Sequence, residues 1–168
     1  MDKRKSFILY DVEILPTPFR NFSGRQTKYN AEGDRNFCIV IPPDLAEELA
    51  KDDWNVKPLN ARNEDEEDRY YIKIKVRFNN NRSRPKIVQI TSGGKTLLDE
   101  ESVENLDWAD IVTADVSINP YESTVRGEHH MSGYLKSLFV TIDEDELDKK
   151  YSDVESIGTD VVDEDIPF

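Results

Sequence analysis

One stretch of nine residues constrains the fold more than any other. From Tyr70 to Phe78 the chain alternates: Tyr70, Ile72, Ile74, Val76 and Phe78 form one set, and Tyr71, Lys73, Lys75 and Arg77 the other. A period of two places successive side chains on opposite faces of a β-strand. The first set is apolar and belongs against a core. The second is basic apart from one tyrosine and belongs on an open surface. A chain built around this strand needs a sheet with one covered face and one basic face.

The neighbouring segments supply the rest of such a sheet. Ser6 to Leu15 is rich in aromatic and branched residues and reads as a strand ended by Pro16 and Pro18. Asn36 to Ile41 reads as a short buried strand. Pro42-Pro43 opens a helix whose Leu45, Ala46, Leu49 and Ala50 make an apolar stripe, stopping near Asp53-Trp54. After the basic strand, Asn79 to Ser83 reads as a turn and Pro85 to Thr91 as the return strand. Ser92-Gly93-Gly94 is a further turn, and Asp99 to Leu106 a short helix. Asp110 to Tyr121 holds a strand ended by Asn119-Pro120, Glu122 to Ser132 reads as a loop, and Gly133 to Ile142 as the last strand. Asp143-x-x-Glu146 has the capping-box pattern and predicts a final helix to about Tyr151. Asn21 to Asp34, punctuated by Gly24 and Gly33, reads as a loop, as does the acidic insert Arg62 to Asp68.

Five or more strands with only short helices are buried most economically in a small barrel. The expected fold is mostly β: an OB-fold-like five-stranded Greek-key barrel with short helices over residues 1–151. A disordered acidic tail over 152–168 follows. A β-sandwich is the alternative.

Charge narrows the function. The chain has 168 residues and a formal net charge of -13, which by itself argues against a phosphate-rich partner. The charge is unevenly placed, however. From Arg69 to Lys95 there are eight basic residues and no acidic one, whereas beyond Thr141 there are eleven acidic residues against two lysines. A basic strand face carrying Tyr71 matches the cationic groove and stacking platform that bind single-stranded nucleic acid. The candidate contacts there are Tyr71, Lys73, Lys75, Arg77, Arg82, Arg84 and Lys86. The loop before it adds Arg20, Arg25, Lys28, Tyr29 and Arg35, which could clamp a strand across the groove. The plainer alternatives are a solvated sheet face and an ordinary surface loop.

Other chemistries find little support. Ser92-Gly93-Gly94-Lys95-Thr96 lacks the first glycine of a phosphate loop, Gln89 standing in its place. His129-His130 make a poor metal site without cysteine or spaced histidine partners. Asp143 to Glu146 lacks the spacing of a calcium loop. No serine or cysteine nucleophile has a base motif beside it. The reading is therefore of a non-enzyme with no cofactor and no metal. Cys38, the one cysteine, reads as a buried apolar filler and is consistent with a cytoplasmic setting. Trp54 and Trp108 read as core or rim anchors rather than stacking residues. No apolar run approaches the length of a membrane span.

The last residues, Asp163-Glu164-Asp165-Ile166-Pro167-Phe168, put an apolar tip on an acidic leash, the form of a docking peptide. This tip resembles the C-terminal tip of bacterial single-stranded DNA-binding proteins. The body resembles a family of bacteriophage single-stranded DNA-binding proteins. The likeness rests on Asn21-Phe22-Ser23-Gly24, Tyr29-Asn30, Gly33-Asp34-Arg35-Asn36-Phe37, Trp54-Asn55-Val56-Lys57, Leu106-Asp107-Trp108-Ala109-Asp110-Ile111, Asn119-Pro120-Tyr121 and Tyr134-Leu135-Lys136. The resemblance implies an OB-fold that coats single-stranded DNA without sequence preference during replication or recombination, in the host cell cytoplasm. It also implies recruitment of a polymerase, helicase, primase or nuclease through the tip. A protein-interaction or structural module of a phage, docking an acidic partner on its basic face, is the alternative.

Overall fold

The structure, a computed structural model, describes residues 5–59, 69–78 and 84–143. The insert Arg62 to Asp68, the turn Asn79 to Ser83 with Arg82, the final helix and the tail with its tip all lie outside the described residues. In chain order the elements are β1 (Phe7–Val12), β2 (Arg20–Asn21), β3 (Arg35–Ile41), α1 (Pro43–Lys51), β4 (Lys57–Leu59), β5 (Arg69–Val76), β6 (Lys86–Thr91), β7 (Gly94–Leu98), a 3-10 helix (Ser102–Asp107), β8 (Ile111–Val125) and β9 (Glu128–Ile142).

Five of these strands close a ring. β1 pairs with β8, β8 with β9, and β3 with β5, all antiparallel, while β5 meets β9 in parallel at Ile74–Gly133 and Lys75–Tyr134. The closing contact is made by the chain just after β1. A register shift between Leu9 and Val12, with Asp11 at φ 52, bends this strand. Beyond the bend Ile14 bridges Ile39, Val40 donates its N–H to the Glu13 carbonyl at 2.9 Å, and Leu15 donates to Cys38 at 3.0 Å. One bent strand thus serves both β8 and β3. The mostly β, OB-fold-like barrel read from the sequence is borne out, with short β2 and β4 and the β6–β7 hairpin added at its edges.

The alternation in β5 orients the barrel wall. Ile72, Ile74 and Val76 point inward and meet Phe37, Ile39 and Ile41 of β3, Val116 and Ile118 of β8, and Leu135, Leu138 and Val140 of β9. Phe22 and Phe37 stack in this core with centroids 4.9 Å apart. α1 has Pro at its start and covers the barrel with Ala46 and Leu49.

Three local expectations need correction. Pro85 to Thr91 is not a return strand beside β5. β6 pairs in parallel with Ser137–Thr141 of β9, so it continues the line of β5 along the same edge of β9. β8 does not end at Asn119-Pro120. It runs on to Val125, because Pro120 lies past the end of the β1 pairing, where a missing N–H is tolerated on a one-sided strand. Finally, Glu122 to Ser132 is a β-hairpin rather than a loop. Its turn is Arg126-Gly127, both at positive φ (53° and 81°), the backbone that two-residue hairpins need. His129 sits in this hairpin. Its Nδ1 lies 2.6 Å from Asp53 and its Nε2 2.8 Å from Glu122. The hydrogen bond to Asp53, then that to Glu122, raises its pKa; the Asp53 bond ties the hairpin to the segment after α1, and the Glu122 bond joins the hairpin's two strands.

Gly133 is where β5, β8 and β9 converge. A Cβ there would stand 2.8 Å from Ile118 Cγ2 and 3.0 Å from the Trp54 ring. Gly133→Ala should therefore destabilise the barrel by about 1–3 kcal/mol through overpacking. Chemical denaturation checks this, and an unchanged midpoint would show that the Ile118 side chain and the Trp54 ring both give way without cost.

Candidate nucleic-acid interface

The outward residues of β5 and β3 form the floor of the site. Tyr71, Lys73 and Lys75 lie opposite Val40, Cys38 and Asn36 in register. Phe19 packs edge-on against Tyr71, with centroids 5.4 Å apart. The loop between β2 and β3 rises beside this floor and encloses a groove of about 570 Å³. Arg25, Lys28 and Tyr29 line one side, and Lys57, Tyr71 and Lys73 the other. None of the lining residues is acidic, in a chain with 35 Asp and Glu residues.

The loop is braced by asparagines. Asn21 donates to the Arg25 carbonyl at 2.9 Å and accepts from the Arg25 N–H at 3.0 Å. Asn36 donates to Asn30 Oδ1, and Asn30 donates to the Arg25 carbonyl, each at 2.9 Å. Thr27 and Asn30 pair backbone to backbone, so Lys28 and Tyr29 form the tip of a miniature hairpin. Tyr29 is 88% exposed, with the Lys28 ammonium 5.7 Å from its ring centroid. The base of the loop is held by Asp107, a buried carboxylate that accepts hydrogen bonds from the Phe22 and Ser23 N–H groups.

The structure divides the candidate residues. It brings Arg25, Lys28 and Tyr29 together with Tyr71 and Lys73 around the groove. Lys75 and Arg77 lie further along β5, over the ring of Tyr134 at 5.8 and 4.9 Å. Lys86 is exposed on β6 beside Phe139, with Arg84 exposed just before it. Arg35 is drawn into the fold: it donates to the Phe22 carbonyl at 2.6 Å and stands 3.8 Å from Glu100. Arg20 borders the groove as well, but its guanidinium turns into the fold. It is buried, and its guanidinium donates to the carbonyls of Leu15, Leu106 and Ala109, so it pins the loop to the segment around the 3-10 helix. Burial lowers its pKa, opposed by Asp107 and Asp110. Alternation and loop composition count charges but do not show which arginines find carbonyl partners.

Some residues of the face escaped sequence reasoning. Trp54 is core, as expected, but Trp108 is 70% exposed beneath the Arg25 guanidinium, 5.0 Å from its centroid. Phe19 lies in a segment whose local pattern carries no functional signal, while Lys57, Tyr121 and Tyr134 stand out only as part of the family likeness and not as contacts. Cys38 is buried as expected, in the groove floor. Burial pushes its thiol up to about 11, partly opposed by Lys73, so it stays protonated and inert.

A closed barrel with an acid-free basic groove and exposed aromatic rings has the build of a single-strand-binding module. The chain belongs to the family described as "Putative phage ssDNA-binding domain", which matches residues 2–167. It is a phage single-stranded DNA-binding protein. No curated protein matches the chain. Among solved structures it is similar to the single-stranded DNA-binding protein from bacteriophage Enc34 in complex with ssDNA. That match has a TM-score of 0.53 at 10% identity, covering 83% of this chain and 88% of that one. The same Enc34 protein in a second structure gives a TM-score of 0.52 at 10% identity over 83% and 82%. Likeness at this identity concerns the fold.

Asp107→Ala should leave one buried and one part-buried N–H group, those of Phe22 and Ser23, without this partner. The expected loss is about 1–3 kcal/mol of stability, with weaker single-strand binding as the loop loosens. Thermal denaturation and a binding titration on the same variant check this; unchanged values for both would remove Asp107 as the anchor.

Proposed function

We propose that this protein coats single-stranded DNA without sequence preference during phage DNA replication or recombination, in the host cell cytoplasm. The observation that carries the reading is the acid-free groove that sets Arg25, Lys28 and Tyr29 across from Tyr71 and Lys73. Cations along the groove meet phosphates, and the aromatic rings stack bases, a contact worth about 1–3 kcal/mol per base that every base can make. Neither interaction reads base edges, which supports indifference to sequence. The role is binding, not catalysis. The acidic tip Asp163 to Phe168 recruits replication or recombination proteins such as a polymerase, helicase, primase or nuclease; its acid run and apolar end support that part of the reading.

Charge reversal at Lys73, Lys75 and Arg77 should weaken binding to all single-stranded sequences alike. If three phosphate contacts are lost, the slope of log K against log salt should flatten by about 2. Titrations across a salt series check both, and unchanged affinity takes this face out of the site. Removal of Ile166, Pro167 and Phe168 should spare single-strand binding and abolish association with the recruited replication proteins. Pull-downs with full-length and truncated chains check this, and equal recovery would exclude the tip.

A further inference from the structure

We infer that Tyr121, propped by Tyr134, is a second base-stacking platform outside the groove, reached by a single strand that runs along the basic face of β5. This rests on the groove reading above and extends it. Tyr121 and Tyr134 project from the same face of the β8–β9 hairpin, since Tyr134 pairs with Asn119, two residues from Tyr121 on β8. Their rings meet edge to face, centroids 5.6 Å apart and planes at 89°. That contact orients Tyr121 yet leaves it 53% exposed, an unusual position for a large ring with no covering partner.

The cations complete the platform. Lys75 lies beside Tyr134 in the parallel β5–β9 pairing, and both Lys75 and Arg77 hold their charges over its ring. Neither has a carboxylate partner among the described residues. Two positive charges beside an oriented, exposed ring suit one nucleotide, with its phosphate on the cations and its base on Tyr121. The groove and this platform lie on one line. Tyr71, Lys73 and Lys75 point outward at successive turns of the pleat, so Tyr71 in the groove floor and Lys75 at the platform are four residues apart, about 13 Å along β5. Lys73 stands between them, where the strand's backbone passes.

The ligand class is a single strand long enough to reach both places. Labelled oligothymidylates of about 4 and about 16 nucleotides, the range of OB-fold site sizes, test this by fluorescence anisotropy. Tyr121→Ala is expected to weaken binding of the longer oligonucleotide roughly tenfold, and Tyr121→Trp is expected to restore it. Lys73→Glu, in the groove, should weaken both. If Tyr121→Ala binds the longer oligonucleotide as wild type does while Lys73→Glu binds it poorly, the platform is overturned and the groove stands. If Lys73→Glu also binds as wild type, the groove reading fails. Circular dichroism of each variant identifies any loss that comes from unfolding.

Discussion

The edge of β9 is the constraint on which the rest depends. Along that one edge β9 pairs in parallel first with the end of β5, at Gly133 and Tyr134, and then with β6 from Ser137 onward. The first contact is only two residue pairs long, yet it joins the halves of the ring. It requires the three strands to approach closely at Gly133, where Ile118, Ile74 and Trp54 leave no room for a side chain. It also sets Lys75 next to Tyr134. The same pairing that closes the barrel therefore assembles the aromatic and cationic surface at its side.

Electrostatics shape the molecule at a second level. The chain as a whole is strongly acidic, but a groove responds to the charges lining it, and salt largely screens exposed charges beyond about 10 Å. The groove between the β2–β3 loop and β5 has basic residues and no acidic ones in its lining. Nearby carboxylates are occupied by the fold. Asp107 is buried and holds backbone N–H groups, and Glu100 faces Arg35. The second hollow, between Ala31–Arg35 and the end of β5, lacks this purity, for Glu32, Asp34 and Glu100 line it with Arg35, Lys75 and Arg77. Lys75 and Arg77 therefore border both this mixed hollow and the basic face of β5.

Much of this was legible in the residues. The alternation from Tyr70 to Phe78 identified the barrel wall and its basic outer face, because a strand's period of two is a local property. The helix after Pro42-Pro43 and the buried strand before it were legible for the same reason. What failed was pairing and accessibility. Pro85 to Thr91 looked like a return strand because a short connection suggests a hairpin, whereas β6 runs on beside β9. Asn119-Pro120 looked like a stop because proline breaks ladders, but β8 has a free side there. Arg20 looked like a DNA contact because it stands among basic residues; the carbonyls of Leu15, Leu106 and Ala109 claim it. Trp108 reads as a core or rim anchor, and it lies outside the core because Leu106 and Asp107 take the buried positions beside it.

Local period and composition suffice to make the chain a β protein with one basic face and an acidic C-terminal stretch. Which cations remain on the surface, and which aromatic rings stand among them, depends on how the strands assemble. Phe19, Trp108 and Tyr134 are brought to the basic face from segments far apart in the chain, by the bend in β1, the Arg20 and Asp107 anchors, and the parallel edge of β9. Those contacts depend on strand pairings between distant residues, and no local pattern contains them.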